Sequence, residues 1–261
     1  MEPHVAHLPA ERRQIILSEI AAHGAVRVDE LGRRFEVSEM TIRRDLDALE
    51  AEGRLERTHG GAIALQAVTE ERRYWEKDEE NREAKEAIGR RAADLVADGD
   101  TVLVNSGSTT RQVILHLARR PKVRIITNNI AAVADLPDET EAEILLLGGR
   151  LRTASGCVVG DWAMGLLDQL APNRAILGAD GISLKEGLSS PIPEEAALTR
   201  FMIERTQGPV TVVADSAKVG RVCGFRIMPL DAVESLVCDS GDYVPWLDDF
   251  RSAGVQVINA I

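Results

Sequence analysis

From residue 101 to residue 258 the chain carries seven apolar runs of four or five residues: 101–104, 123–127, 143–147, 174–177, 210–214, 235–238 and 255–258. Helical stretches separate many of them, at 109–119, 129–136, 161–169, 194–206 and 245–252. A strand that is apolar throughout must be covered on both faces, and helical crossovers place successive strands parallel. The pattern predicts an α/β domain with a mainly parallel open sheet. Apolar residues are 44% of the chain but aromatics only 3%, so its core is built from Leu, Ile, Val and Ala. A chain of 261 residues has room for this domain and a smaller one. No run approaches the roughly 18 apolar residues of a membrane span. Met1-Glu2-Pro3-His4 does not begin a secretory signal, which leads us to expect a cytoplasmic protein. Cys157, Cys223 and Cys238 are odd in number and far apart. They form no metal-ligand cluster and read as buried thiols of a reducing compartment.

Small polar residues follow the strands. Val104-Asn105-Ser106-Gly107-Ser108-Thr109-Thr110 is a strand end, a tight turn and a helix start. The unpaired amides of a helix N-terminus and several hydroxyls suit an anion, although such turns also serve as plain connections. The turn is neither a P-loop nor a dinucleotide fingerprint. Similar loops follow at Thr127-Asn128-Asn129, Gly148-Gly149-Arg150-Leu151-Arg152, Gly178-Ala179-Asp180-Gly181, Gly187-Leu188-Ser189 and Asp215-Ser216-Ala217-Lys218-Val219-Gly220. Ligands of open parallel sheets bind outside the carboxyl ends of the strands, so these loops are expected to converge on one pocket.

The N-terminal part has another grammar. Ile15, Ile16, Ile20 and Ala21 recur at near-helical spacing, with Gly24 as a stop. Asp29 is placed to cap a second helix with Leu31 and Phe35 inside. Ser38 caps a third, because its hydroxyl can accept from first-turn amides. There Ile42, Leu46 and Leu49 form a buried stripe, while Arg43, Arg44 and Asp47 face away, and Gly53 ends the helix. Residues 54–58 and 62–65 then read as two strands around His59-Gly60-Gly61, the glycines supplying positive φ. Two helices joined tightly at Glu36-Val37, followed by a basic hairpin, can put side chains into a DNA major groove. The net charge of −11 argues superficially against nucleic acid, and residues 1–66 alone carry 9 Arg against 12 Asp or Glu. Positive charge is instead local, at Arg33, Arg34, Arg43, Arg44, Arg54 and Arg57, which is what DNA binding requires. The competing reading pairs Arg43 and Arg44 with Asp45, Asp47 or Glu50 on a solvated face. Asp45 reads as a partner that orients an arginine. Residues 67–84, dense in charge, read as a solvated linker.

Val28-Asp29-Glu30-Leu31, Val37-Ser38, Thr41-Ile42-Arg43-Arg44-Asp45-Leu46, Leu49-Glu50, Gly53 and Arg57-Thr58-His59-Gly60-Gly61-Ala62 resemble the winged helix-turn-helix signature of DeoR-type bacterial transcriptional regulators. The loop series over about residues 85–258 is similar to the sensor domain of that family, which is related in fold to ribose-5-phosphate isomerase and glucosamine-6-phosphate deaminase. The resemblance implies an N-terminal winged helix-turn-helix domain (1–66), a linker (67–84) and a domain for effector sensing and oligomerisation (85–261). It implies that Ser38, Thr41, Arg43, Arg44, Arg57, His59 and Gly60 face operator DNA. Ser106, Gly107, Ser108, Thr109 and Thr110 would hold a phosphate or comparable anion, Arg152 and Lys218 would add positive charge, and Asn128 and Asp180 would bond sugar hydroxyls. Glu195 fits either a ligand contact or the first turn of a helix. The expected partners are double-stranded operator DNA, a phosphorylated or anionic sugar and further copies of the chain, as homodimer or homotetramer, with no membrane, cofactor, metal or catalytic residue. The chain departs from the family pattern at Asn105, where many members have Asp, and at Thr199-Arg200, where a Lys-Arg pair is frequent. The rival reading is an isomerase- or deaminase-like enzyme with an appended DNA-binding domain, since Asp180, Glu194, Glu195, Asp215 and Lys218 can move protons. A pure interaction adaptor leaves the loop series unexplained.

Overall fold

The structure, a computed structural model, describes residues 8–68, 71–239 and 246–261. The chain opens with α1 (Pro9–His23), β1 (Ala25–Arg27), α2 (Val28–Phe35), α3 (Glu39–Ala51) and the strands β2 (Leu55–Thr58) and β3 (Gly61–Ala64). Ile16, Ile20, Leu31, Phe35, Ile42, Leu46 and Leu49 close one core among the helices, and β1-β3-β2 form a small antiparallel sheet over it. Gly24 takes the left-handed conformation that stops α1. Two local expectations are corrected. Helix α2 begins at Val28 with Arg27 as its cap residue, so Asp29 sits in the first turn and pairs with Arg27 and Arg33. Neither Gly60 nor Gly61 has positive φ. Gly61 is required for close approach, because a Cβ there would lie 1.8 Å from the Val26 carbonyl oxygen.

Next come β4 (Gln66–Val68), α4 (Tyr74–Glu79) and α5 (Arg82–Ala93). The remaining elements are β5 (Thr101–Val104), α6 (Ser108–Leu117), β6 (Arg124–Thr127), α7 (Ile130–Ala134), β7 (Glu143–Leu146), β8 (Arg150–Arg152), β9 (Cys157–Val159) and α8 (Asp161–Leu167). They continue with β10 (Arg174–Leu177), β11 (Gly181–Ser183), β12 (Gly187–Ser190), α9 (Pro193–Arg205), β13 (Val210–Val213), β14 (Arg221–Cys223), β15 (Phe225–Met228), β16 (Ser235–Cys238), α10 (Leu247–Ser252) and β17 (Gln256–Asn259). The seven apolar runs become a seven-stranded sheet in the order β17-β16-β13-β10-β5-β6-β7, and every pairing in it is parallel. Successive residues feed opposite cores, as the two-residue period of a strand requires. Leu103, Ala175 and Val212 pack with Ala163, Met202 and Phe250 of α8, α9 and α10. Val102, Val104 and Ile176 pack with Ile88, Val113 and Leu117 of α5 and α6. The helix expected at 245–252 is seen as α10; Pro245 lies outside the described residues. All three cysteines are buried and none is in a disulfide.

The segment 67–84, expected as a solvated connector, is largely exposed but carries β4, α4 and the start of α5. Strand β4 pairs with β14, and several of the segment's charges are met by side chains, while Arg73, Glu76, Glu79, Arg82 and Glu83 are exposed. Glu71 pairs with Arg152, Arg72 with Glu80, Lys77 with Asp180 and Asp78 with Arg111.

The wing also meets the second domain. Ile63 joins the core of α8, α9 and α10, Asp249 of α10 accepts the His59 N–H at 2.7 Å, and buried Glu56 accepts from Ser183 Oγ at 3.1 Å and the Lys185 N–H at 2.6 Å. Burial pushes the Glu56 carboxyl above its ordinary value, against those two hydrogen bonds. An acid whose folded pKa is raised begins to destabilise the fold as pH climbs past the ordinary value, and does so in full above the raised one. Glu56→Gln keeps an acceptor oxygen and removes the charge. It is expected to raise the melting temperature at about pH 8, with the gain shrinking as pH falls toward the ordinary glutamate value. A melting temperature equal to or below wild type at the higher pH would contradict this.

Candidate functional site

Helix α3, the helix expected to read DNA, is capped by its own residues. Ser38 Oγ accepts the Thr41 N–H at 3.2 Å and lies 2.9 Å from Thr41 Oγ1, and the turn before it is held by Glu36 in the left-handed conformation. With Ile42, Leu46 and Leu49 buried, Met40, Arg43, Arg44 and Asp47 are exposed. Arg43 pairs with Glu39 at 3.3 Å on that open face, not with Asp45, Asp47 or Glu50. Arg44 makes no ion pair among the described residues. Asp45 does orient an arginine, but it is Arg12 of α1: the two form a buried ion pair that ties α1 to α3. Arg57 turns inward from the wing, donating to Asp47 at 3.0 Å and to the Arg43 carbonyl at 3.2 Å. It fixes the wing against α3, whereas the His59 ring is 90% exposed and Gly60 is exposed at the hairpin tip.

The second site is a cleft at the carboxyl ends of the parallel strands. It encloses about 700 Å³, mouth included, and is lined by Ser106 to Thr110, Asp180 and Lys218 as expected, together with Tyr74, Lys77, Ser155, Ser190 and Glu195. Gly107, at φ +148°, makes the turn into α6. Its carbonyl accepts from Thr110 Oγ1 at 3.1 Å and Asn129 Nδ2 at 3.2 Å, which holds the turn. The first amides of α6 have no helical acceptor and favour an anion. Asp180 lies 2.7 Å from Lys77 Nζ and 3.8 Å from Lys218 Nζ. Burial works against its charge, but the two ammoniums outweigh it and hold Asp180 below the usual carboxylate range. Burial pulls Lys218 down and drives Glu195 up.

Two expected ligand residues are not brought into the cleft. Asn128 is buried, its amide donating to the Val158 carbonyl at 2.9 Å, and so serves the join between β6 and β9. Arg152 is taken up by Glu71, at 2.7 Å to both carboxylate oxygens, and by Glu195 at 3.2 Å. Its charge is cancelled beside the site rather than offered to it. Glu195 both starts α9 and lines the cleft. Asn105 and Thr199, the two departures from the family pattern, touch: Asn105 Nδ2 donates to Thr199 Oγ1 at 3.2 Å and to the Gly178 carbonyl at 3.0 Å. A neutral amide facing a neutral hydroxyl needs no counter-charge. Tyr74 and Lys77 escaped a reading by composition because their neighbours are charged. The available signal was the Tyr74-Trp75 pair, a run of aromatics in a chain that has few.

Residues 12–68 match the DeoR-like helix-turn-helix domain and residues 80–240 the DeoR C terminal sensor domain. The chain belongs to the DeoR family. Relatives extend over almost its whole length. The HTH-type transcriptional regulator GlpR of Haloferax volcanii is 31% identical over 254 residues, covering 97% of this chain and 99% of the relative. The putative aga operon transcriptional repressor of Escherichia coli O157:H7 is 32% identical, covering 95% and 93%. The lactose phosphotransferase system repressor of Lactococcus lactis is 32% identical, covering 92% and 94%. Among solved structures, ribose 5-phosphate isomerase A of Methanocaldococcus jannaschii aligns at a TM-score of 0.40 and 19% identity, covering 53% of this chain and 55% of that one. This DeoR-family chain is a DNA-binding transcriptional regulator with a sensor domain for a small-molecule effector. Among the described residues no helix is long and apolar enough to cross a membrane.

Proposed function

We propose that this regulator is a repressor of carbohydrate-metabolism genes, acting in the cytoplasm and released from operator DNA by a phosphorylated or similarly anionic sugar. One observation carries the reading. The turn 106–110, Asp180 and Lys218 converge in a single cleft, so an anion seat and a hydroxyl acceptor lie side by side in the domain that contacts the wing. Ser106 to Thr110 and Lys218 take the anionic group, and Asp180 takes sugar hydroxyls. Ser38, Thr41, Arg43, Arg44, His59 and Gly60 face DNA, and Arg57 holds the wing in place. The relatives named as repressors of aga and lactose systems support the same class of target.

Paired half-sites on DNA call for two copies. Edge strand β7 and the exposed apolar side chains Leu146, Leu151, Trp162 and Leu166 support a homodimer or homotetramer formed through that side of the sheet. Coupling between effector and operator typically amounts to about 1–3 kcal/mol and must be reciprocal. DNA upstream of the genes neighbouring its own is the operator to test. In gel shifts, a panel of sugar phosphates is expected to contain a member that weakens binding by about 5–150-fold, while its parent sugar does not. If the protein retains operator DNA equally at saturation with every phosphate that binds it, the switch fails.

A further inference from the structure

One wall of the cleft belongs to neither matched family segment. Helix α4 lies between the helix-turn-helix span, which ends at 68, and the sensor span, which begins at 80. Two of its side chains line the cleft. Lys77 Nζ meets Asp180 across 103 residues of sequence, and Tyr74 Oη is buried without a hydrogen-bond partner.

The charge arrangement is lopsided. Lys77 and Lys218 both lean on one Asp180 oxygen, so two ammoniums share a single carboxylate beside the 106–110 turn. The neighbouring cations are already met: Arg72 by both oxygens of Glu80 at 2.7 Å, and Arg152 by Glu71 and Glu195. Glu195, the other acid lining the cleft, pairs with Arg152 at 3.2 Å and with neither lysine. Helix α4 is also held in place. Buried Lys85 donates to the carbonyls of Lys77 and Glu80, and the Tyr74 N–H donates to the Ala154 carbonyl at 2.8 Å.

We infer that Lys77 is an effector-contact residue: with Lys218 it forms a paired-cation seat for the ligand's anionic group above the turn 106–110, and Tyr74 Oη donates to a ligand oxygen. The assignment rests on the anion-site reading above and extends it to the segment that joins the domains. Strand β4, a few residues before α4, pairs with β14 and directly follows wing strand β3. A ligand gripping Lys77 therefore grips the segment that leads to the wing.

Titration calorimetry of the full chain, with inorganic phosphate and a panel of pentose and hexose monophosphates beside their parent sugars, tests this. Lys77→Gln is expected to weaken the phosphates by about tenfold or more, the scale of a charge-assisted hydrogen bond, and to leave the parent sugars unchanged. Lys77→Arg should retain most of the affinity, and Tyr74→Phe should lose a smaller factor. Wild-type affinity for phosphates in Lys77→Gln overturns the Lys77 assignment while the anion site stands. Equal loss of phosphates and parent sugars in both Lys77 variants marks a structural role and also overturns it. Wild-type affinity in Tyr74→Phe removes the Tyr74 contact. A wild-type protein that binds none of the phosphates overturns the anion site and this assignment together.

Discussion

Asp45→Ala is expected to destabilise the winged helix-turn-helix by about 3–5 kcal/mol, the usual cost of removing one partner of a buried ion pair. Arg12 is 5% exposed and Asp45 6%, so the pair between α1 and α3 is held away from water. The pair itself need not be a net gain. Replacing both partners with apolar residues of similar volume is often neutral or stabilising, and Arg12→Met with Asp45→Leu should recover much of the loss. Urea denaturation followed by helical circular dichroism would measure both. A single-variant loss below about 1 kcal/mol, the scale of an exposed pair, would contradict this. Because the pair sets how α1 braces α3, the single variant should also bind operator more weakly, and the apolar double variant should regain that binding.

Arg44→Ala is expected to cost about 1–3 kcal/mol of operator affinity and to relax specificity at one base pair, if Arg44 reads a guanine edge. Arg44 is exposed and without an ion pair among the described residues, so no internal contact is lost with it. Arg43 must first leave Glu39, but an exposed pair at 3.3 Å holds it by little, and Arg43→Ala should have an effect of similar size. Arg57→Ala should behave differently. Its guanidinium bonds α3, so the loss comes from a misplaced wing and spreads evenly over operator sequences. Fluorescence anisotropy at one fixed salt concentration separates these cases. With a net charge of −11 on the whole chain, binding should fall steeply as salt rises. Wild-type affinity in both the Arg43 and Arg44 variants would remove α3 from the DNA interface.

Much of this protein was legible because its signals are local. The seven apolar runs became the seven strands of the parallel sheet because burial on both faces imprints a continuous apolar string. The Ser38 cap and the stops at Gly24 and Gly53 were legible because each is satisfied within one turn of its own helix, and the Ile42-Leu46-Leu49 stripe because a face packed on neighbouring helices repeats with the helix period. The turn 106–110 announced its anion-favouring amides through the order of strand, small residues and helix.

The contents of the cleft were settled by approach in space. Lys77 enters it because Asp180 waits 103 residues away, and Arg152 drops out because Glu71, 81 residues before it, reaches its guanidinium first. Asn128 turns to Val158 instead of the cleft, and Asn105 meets Thr199 across 94 residues. Ion pairs and amide contacts of that reach carry no periodicity and no cap. By itself, the sequence determined the layers, the strands and the helices of the helix-turn-helix, because burial and capping act within a few residues. The tertiary structure alone decided the strand order, the docking of the wing and which charges line the cleft, because a long side chain's partner is whichever opposite charge the completed fold brings within about 4 Å.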